Sequence, residues 1–352
     1  MTDSDYQYQY DRKVILFNEA ISSFTNEIDY FPSKNLEFRT RIEFGINKFN
    51  EKLNFSMTKN SDRVEIQEMT ICDEKIRELM PRLIDYLNKN REFSKKLFQV
   101  EFQVSRSGDA MISLIYHKKL DKDWEQESLL LSRLLDCSII GRSRKQSIVN
   151  GENFVIETYK SLSHEYSLKL FEQCFSQTNP GICDDMLCWV ESNSQAKDDI
   201  VELHCGQGTF TILFSKMFQK VLATENSRSS VRALKENLSI NKATNVYSAR
   251  MSGHETLDAL QKTRPYRRME AIDLSEFKFS SIFLDPPRSG LDKDTLAAVS
   301  TFEQIIYISC GFDSLKRDLN YLKKTHFVKK AAMFDQFPYT DHLESGLILA
   351  KK

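Results

Sequence analysis

The sequence lacks the features that mark membrane and secreted proteins. It contains no long apolar run, although 41% of its 352 residues are hydrophobic, so we expect no transmembrane segment. Its first residues, MTDSDYQYQYDRK, are polar and acidic and do not have the apolar stretch of a signal peptide. The seven cysteines include no CxxC pair. Their odd number and irregular spacing predict a reducing, cytoplasmic location and no zinc or iron–sulfur cluster.

An excess of charge of one sign is also missing. The 49 Lys and Arg residues are balanced by 50 Asp and Glu residues, which leaves a formal net charge of −1. The composition therefore does not by itself indicate a nucleic-acid-binding protein, although phosphate contacts need only a local basic patch. A length of 352 residues predicts two domains.

The first part of the chain has the pattern of a small α+β domain. Strands are predicted where apolar and polar residues alternate, over residues 41–47, 53–57, 98–104 and 110–117. Helices are predicted over residues 73–89, with Asp73 as the N-cap, and over residues 121–136. We interpret residues 1–162 as this N-terminal domain.

From about residue 165 onward, strands alternate with helices. The predicted strands cover residues 200–204, 221–225, 246–248, 281–285 and 305–309, and a closing hairpin is predicted over 327–333 and 346–350. The repeated order of strand, turn and helix predicts an α/β fold with a doubly wound parallel sheet. A terminal antiparallel pair is typical of the class I methyltransferase variant of that fold. We interpret residues 163–352 as this Rossmann-like catalytic domain.

A candidate cofactor site lies at the carboxyl ends of the predicted strands. Gly206-Gln207-Gly208 follows one strand and precedes a helix, which lets the backbone approach a ligand closely. Glu225 ends the next strand about twenty residues later, at the spacing where a carboxylate binds ribose hydroxyls, and Asp285 ends the fourth strand. A single G-x-G favours S-adenosylmethionine over a dinucleotide. The alternatives are a solvated carboxylate at Glu225 and a turn or N-cap role for Asp285.

A cysteine stands at the end of the fifth predicted strand. The apolar residues 305–308 are followed by Ser309-Cys310-Gly311, which places a thiol at the ligand-binding edge of the sheet. Taken alone, Cys310 is more often a buried and inert residue than a nucleophile. Its interpretation therefore depends on the motifs around it.

Three motifs carry a family resemblance. They are DPPRSGLD at residues 285–292, YISC at 307–310 and FDQFPYTDHLESG at 334–346. With these motifs the chain resembles the tRNA (uracil-5-)-methyltransferase family, over most of its length. The added OB-like domain and the iron–sulfur cysteines of the rRNA-modifying relatives do not occur in the sequence, which favours tRNA. The resemblance implies S-adenosylmethionine-dependent methylation of a T-loop uridine, at position 54 of tRNA and at the equivalent uridine of tmRNA.

The resemblance also assigns the site residues. Cys310 is the nucleophile that adds to C6 of the flipped uracil, and Glu344 is the base that later removes the C5 proton. The cofactor contacts are Gln177, His204, Gly206, Thr209, Glu225 and Asp285. The candidate RNA contacts are Phe98, Gln99 and His117 in the N-terminal RNA-recognition domain, and Arg288. We expect the site to lower the pKa of the thiol, because an ordinary thiol is little ionised at neutral pH.

Two stretches depart from the family pattern. The turn HCGQGTF at residues 204–210 replaces the usual YCGNGNF, which changes an aromatic and an amide contact to the cofactor but not the chemical step. Gly311-Phe312 replaces an Asn-Pro pair directly after the thiol, which bears on how that loop is held.

Two other functions remain as alternatives. An RNA cytosine-C5 methyltransferase shares thiolate addition, but that class usually carries its nucleophile in a different strand-end motif. A non-catalytic tRNA-binding protein of the same fold would not need both Cys310 and Glu344.

Overall fold

The computed structural model describes residues 3–59 and 62–352. The chain forms two compact units. The large unit contains Met1–Ser33, Tyr159–Leu168 and Gln173–Lys352, and the small unit contains Lys34–Thr158 and Lys169–Glu172.

The elements are numbered in chain order. The helices are α1 (Asp3–Ile21), α2 (Glu74–Lys89), α3 (Arg91–Ser94), α4 (Lys122–Leu135), α5 (Pro180–Asn193), α6 (Thr209–Met217), α7 (Arg228–Ile240), α8 (Gly253–Leu260), α9 (Lys293–Val299) and α10 (Phe312–Leu322). The strands are β1 (Ile28–Phe31), β2 (Arg41–Phe49), β3 (Lys52–Lys59), β4 (Asp62–Ile66), β5 (Leu97–Val104), β6 (Ala110–Tyr116), β7 (Ser138–Ser143), β8 (Gln146–Asn150), β9 (Phe154–Lys160), β10 (Glu165–Phe171), β11 (Asp199–Leu203), β12 (Val221–Glu225), β13 (Val246–Arg250), β14 (Phe279–Leu284), β15 (Gln304–Ser309), β16 (His326–Phe334) and β17 (Glu344–Lys351).

The large unit is built on an eight-stranded sheet with the order β1-β16-β17-β15-β14-β11-β12-β13. The strands from β13 to β15 in this order pair in parallel, with helices in their connections. Strand β17 is reversed and pairs antiparallel with both β15 and β16. The predicted α/β sheet with a closing antiparallel pair is therefore confirmed. Strand β1 adds a further edge by pairing in parallel with β16.

The central strands of this sheet are apolar because they are covered on both faces. Ile305, Ile306, Tyr307 and Ile308 of β15 are all fully buried. Since parallel strands end at the same edge of a sheet, β11, β12, β14 and β15 deliver the residues that follow them to one edge. This edge carries the glycine-rich turn, Glu225, Asp285 and the Cys310 thiol.

The small unit contains a seven-stranded sheet with the order β4-β3-β2-β5-β6-β7-β8. Its neighbours pair antiparallel except β6 and β7, which are parallel and are joined through α4. Alternate strand residues such as Phe44, Phe102 and Leu114 form one core with apolar residues of α2 and α4. The intervening strand residues face the other side of the sheet and are largely polar.

The contacts divide the chain differently from the boundary predicted at residue 162. Residues Met1–Ser33 group with the large unit and not with the rest of the N-terminal part. The sequence pattern also missed α1, because its buried residues include Lys13 and Tyr6 and do not form a continuous apolar stripe. The functional division into an RNA-recognition domain and a catalytic domain stays a prediction.

Candidate active site

The thiol of Cys310 lies directly after the buried strand β15. Cys310 is half-buried, so its Sγ is at the end of the core and not inside it. The next residue, Gly311, is the N-cap of α10. The chain therefore turns from a strand into a helix at the thiol, and the conformation of this turn determines where the sulfur points.

A close contact explains why glycine follows the thiol. A Cβ atom on Gly311 would lie 2.3 Å from the carbonyl oxygen of Arg288 and 2.5 Å from Oγ of Ser314. That Ser314 hydroxyl donates a hydrogen bond to the same Arg288 oxygen, at 2.8 Å. The glycine that departs from the family pattern is thus the residue that lets the segment after β14 pack onto the start of α10.

Helix α10 holds this segment at further points. Arg317 donates to the carbonyl oxygens of Ser289 and Leu291, at 3.1 and 2.7 Å. The buried carboxylate of Asp318 accepts bonds from the Leu291 amide, at 2.9 Å, and from the Tyr307 hydroxyl, at 2.7 Å. The segment after β14 and the first turns of α10 therefore form one hydrogen-bonded unit beside the thiol.

We expect Gly311→Ala to disturb this unit. The added methyl group would meet a backbone oxygen that cannot swing away, so overpacking should cost about 1–3 kcal/mol of unfolding free energy and displace the thiol. Urea unfolding and the rate of thiol alkylation measure the two effects. Gly181→Ala is the matched control, because a Cβ there has an ordinary contact at 3.6 Å. A Gly311→Ala variant as stable and as reactive as the parent would contradict this account.

Glu344 is the first residue of β17 and is 5% exposed. It pairs in register with Phe334, the last residue of β16. Within residues 3–59 and 62–352, its Oε2 atom is buried without a hydrogen-bond partner. Burial raises the pKa of Glu344 well above the ordinary value, the charge of Asp285 raises it further, and Arg288 opposes the shift. Such a carboxyl group, once ionised, is a stronger base than an exposed one.

Two more groups of this cluster have raised pKa values. Burial raises the pKa of Asp285 to about 7. Burial also raises the pKa of the Cys310 thiol, the charges of Glu344 and Asp285 add to the shift, and Arg288 opposes it. The expectation that the site lowers the thiol pKa is therefore wrong for the free protein. A negative charge on either carboxyl group, beside a half-buried sulfur, disfavours the thiolate.

The raised pKa predicts slow alkylation of Cys310 at neutral pH. Since the thiolate is the reactive form, the rate should increase with pH, with a midpoint above that of an ordinary cysteine. Iodoacetamide labelling of the Cys310 peptide between pH 7 and pH 10, followed by mass spectrometry, measures the profile against a free cysteine peptide. Arg288→Ala should move the midpoint higher still. If Cys310 is labelled at pH 7 as fast as the free peptide, the pKa of its thiol is not raised.

The glycine-rich turn lies at the same edge of the sheet, after β11. The Gly206 amide donates to Oε2 of Glu225 at 3.1 Å, and the Ser227 amide donates to Oε1 at 2.7 Å. These two bonds fix the carboxylate at the end of β12. His204 has a left-handed backbone with φ 60°, and burial lowers the pKa of its imidazole, which favours the neutral ring.

The donors of this turn fit a nucleoside cofactor that carries an α-carboxylate. Helix α6 begins at Thr209, and its N-cap, Gly208, offers no side-chain hydrogen bond to the first amides. These amides can therefore bind an anionic group. A Cβ on Gly206 would meet nothing within 4 Å, so the turn is open on that side. Gln177 is buried and accepts a hydrogen bond from Gln336 Nε2 at 3.0 Å.

Sequence reasoning missed one carboxylic acid of this region. Glu202 on β11 is 1% exposed, and burial raises its pKa to about 8. The charges of Asp285 and Glu225 raise it too. Its Oε2 atom is buried without a hydrogen-bond partner among the described residues. The available signal was a charged residue inside the apolar strand 200–203.

The structure also brings together three of the four candidate RNA contacts, in the small unit. The rings of Phe98 and His117 are stacked, with centroids 3.8 Å apart and an interplanar angle of 8°. Gln99 donates to Glu43 at 2.7 Å. All three candidates line a cavity of about 450 Å³, which also contains Arg63. The fourth candidate, Arg288, is an exposed residue of the large unit.

The part of the chain that the structure describes contains neither a candidate metal cluster nor a candidate membrane-spanning helix. Over residues 3–59 and 62–352, no group of three or more His, Cys, Asp and Glu side chains is arranged to hold a metal ion. None of the helices described there is long and apolar enough to cross a membrane.

Comparison with known proteins identifies the family. A family profile described as tRNA (Uracil-5-)-methyltransferase matches residues 5–352. A Teredinibacter turnerae protein named tRNA/tmRNA (uracil-C(5))-methyltransferase is 41% identical to this chain, over 99% of this chain and 97% of the relative. A protein of the same name from Aliarcobacter butzleri is also 41% identical, over 99% of this chain and 95% of the relative. The crystal structure of Pyrococcus abyssi tRNA (uracil-54, C5)-methyltransferase with S-adenosyl-L-homocysteine superposes with a TM-score of 0.76 at 19% identity, covering 98% of this chain and 83% of that one. This chain belongs to the tRNA (uracil-5-)-methyltransferase family of enzymes.

Proposed function

We propose that this chain methylates C5 of a uridine in the T-loop of tRNA, at position 54, and the equivalent uridine of tmRNA, with S-adenosylmethionine as the methyl donor. The observation that carries the proposal is the arrangement of Cys310 and Glu344. Both lie at one end of the β15–β17 pair, in a chain that matches the family from residue 5 to residue 352.

The chemistry requires both side chains. Uracil C5 is a weak nucleophile, but addition of the Cys310 thiolate to C6 creates an enolate whose C5 attacks an electrophile. When bound, S-adenosylmethionine would supply that electrophile as the methyl group on its sulfonium, with S-adenosylhomocysteine as the leaving group when the S–CH3 bond breaks. Glu344 then accepts the C5 proton, the electrons of the C–H bond form the C5–C6 double bond, and the C6–S bond breaks to release the thiolate. The raised pKa of Glu344 suits this role as base.

Arg288 is a positive charge that acts on both Cys310 and Glu344. Its guanidinium lowers the pKa values of both Cys310 and Glu344 against the larger effect of burial. The side chain is exposed, so it can also bind a phosphate of the target nucleotide. We assign it to the RNA contact and to the support of the thiolate.

The proposed cofactor site uses the glycine-rich turn. Glu225, fixed by two backbone amides, is assigned to the ribose hydroxyls. The Gly206 turn and the first amides of α6, at Thr209, are assigned to the carboxylate of the methionine part. Neutral His204, Gln177 and Asp285 are assigned to the remaining cofactor contacts.

The small unit is assigned to RNA recognition. The target uridine is stacked inside a folded loop, so it must be flipped out before the thiol can reach C6. The stacked Phe98 and His117 rings are a suitable platform for an unstacked base, and Gln99 offers a hydrogen-bonding amide beside them. A cytoplasmic location, where such RNAs are found, is part of the proposal.

The test is incubation of the protein with unmodified tRNA and methyl-labelled S-adenosylmethionine, followed by nucleoside analysis. We expect label in 5-methyluridine, and none when position 54 of the tRNA is replaced by cytidine. Label in 5-methylcytidine would identify a cytosine methyltransferase. Tight tRNA binding without any label would identify a non-catalytic RNA-binding protein.

A further inference from the structure

The N-terminal helix α1 makes polar contacts with the segment that leads into β17. Its C-terminal half packs into the core through Phe17, Ala20 and Ile21. Farther from its C-terminus the helix instead uses Lys13 and Gln9, and both side chains bind residues of the segment 335–343. This segment, called here the base loop, joins the end of β16 to Glu344.

The first attachment is a buried ion pair. Lys13 Nζ lies 2.6 Å from Oδ1 of Asp335, and the two side chains are 3% and 0% exposed. The same ammonium donates to the carbonyl oxygen of Phe337 at 2.9 Å. Burial lowers the pKa of Lys13, and the charge of Asp335 opposes that shift. A buried pair of this kind contributes little net stability compared with apolar residues, but it strongly penalises any other arrangement of the loop.

The second attachment is the side-chain amide of Gln9, which forms hydrogen bonds with the backbone of the base loop. Gln9 Nε2 donates to the carbonyl oxygen of Thr340 at 2.7 Å, and Gln9 Oε1 accepts a bond from the Tyr339 amide at 3.2 Å. Gln9 therefore satisfies a backbone donor and a backbone acceptor of neighbouring residues in the base loop. The ring of Tyr6 also meets the ring of Tyr339 edge-on, with centroids 5.9 Å apart.

The backbone of the base loop requires such support. Tyr339 has φ 62°, in the left-handed region that aromatic residues rarely adopt. Residues in this conformation persist where their surroundings hold them, and they are common at functional sites. The loop leads directly to Glu344, whose carboxylate is buried with one oxygen unpaired among the described residues. The position of that carboxylate thus depends on a loop that α1 holds.

We propose that α1 is a positioning element for the proton-abstraction step, in which Gln9 and Lys13 hold the base loop so that Glu344 reaches the C5 proton. The inference rests on the proposed function, since it needs Glu344 as the base. Neither Gln9 nor Lys13 touches a reacting atom. Cys310 and the glycine-rich turn belong to other strands, so a loosened base loop should slow proton removal and thiolate release more than thiolate addition or methyl transfer.

The test compares Gln9→Ala with Gln7→Ala. Gln7 lies on the same helix and is exposed, and its amide donates to Asp11 of α1 at 2.8 Å, so its loss leaves the base loop untouched. In single turnovers with tRNA and methyl-labelled S-adenosylmethionine, both variants should transfer the methyl group at the parent rate. Gln9→Ala should accumulate about tenfold more methylated protein–RNA adduct, resolved on a denaturing gel, as expected for the loss of two hydrogen bonds.

The outcomes separate the two proposals. If Glu344→Gln traps the adduct but Gln9→Ala does not, α1 has no positioning role and the methyltransferase proposal stands. If Gln9→Ala slows addition, methyl transfer and elimination equally, α1 is only a structural support and the inference fails. If the parent protein methylates no uridine, the proposed function fails first. Lys13→Met is a second variant, which should behave as Gln9→Ala does if it folds.

Discussion

Replacing Cys310 with alanine is expected to abolish both methyl transfer and the covalent adduct with RNA. Without the sulfur no enolate forms at C5, so turnover should fall by about four orders of magnitude or more, as for other covalent catalysts that lose their nucleophile. Stability should change little, because Cys310 is only half-buried. The measurements are methyl incorporation into tRNA and trapping of the enzyme on RNA that contains 5-fluorouridine, which cannot release a C5 proton.

Cys188→Ala is the control for this experiment. Cys188 is also half-buried and belongs to the same unit, but it lies on α5 and hydrogen-bonds to the carbonyl oxygen of Lys160. Its loss should leave turnover and trapping unchanged. If Cys310→Ala still forms the adduct, another residue is the nucleophile and the assignment at the end of β15 is wrong.

Replacing Glu344 with glutamine is expected to separate the two halves of the reaction. Glutamine has nearly the same shape but cannot accept the C5 proton, so methylated adduct should accumulate while turnover falls by about 10²–10⁴-fold. Denaturing gels of the RNA-bound protein and release of methylated tRNA over time measure the two effects.

The pKa of Glu344 predicts how the stability of this variant depends on pH. Because burial raises the pKa, the carboxyl group is protonated in the folded protein at pH values where it is ionised in the unfolded chain. Above the pKa that Glu344 has in the unfolded chain, this group therefore lowers the free energy of unfolding more and more as pH rises. Glu344→Gln removes that effect, so urea unfolding should show a variant that becomes more stable relative to the parent as pH rises.

Glu303→Gln is the matched control, because the side chain of this glutamate is exposed and pairs with Lys197 on the surface. It should trap no adduct and should show no pH-dependent gain in stability. Rapid, complete turnover by Glu344→Gln would remove Glu344 from the mechanism. The helix α1 would then hold a loop with no catalytic base.

The sequence by itself determined the parts of this protein that depend on local patterns. Strand-forming runs that end at Glu225, Asp285 and Cys310 could be read directly, and parallel strands of one sheet must deliver their ends to the same edge. The motif around Glu344 predicted the second reacting side chain. The class of fold and the family followed from these local features, because each one is encoded within a few neighbouring residues.

Only the tertiary structure decided how the side chains predicted to react are held and charged. The pKa of Cys310 is raised because folding buries it beside Glu344 and Asp285, and no spacing along the chain reports that burial. The bond from Lys13 to Asp335 joins residues 322 positions apart. Gly311 is needed because the Arg288 carbonyl oxygen packs against it. These features depend on contacts between distant segments, which local periodicity cannot encode, and they exist only once the sheet has brought those segments together.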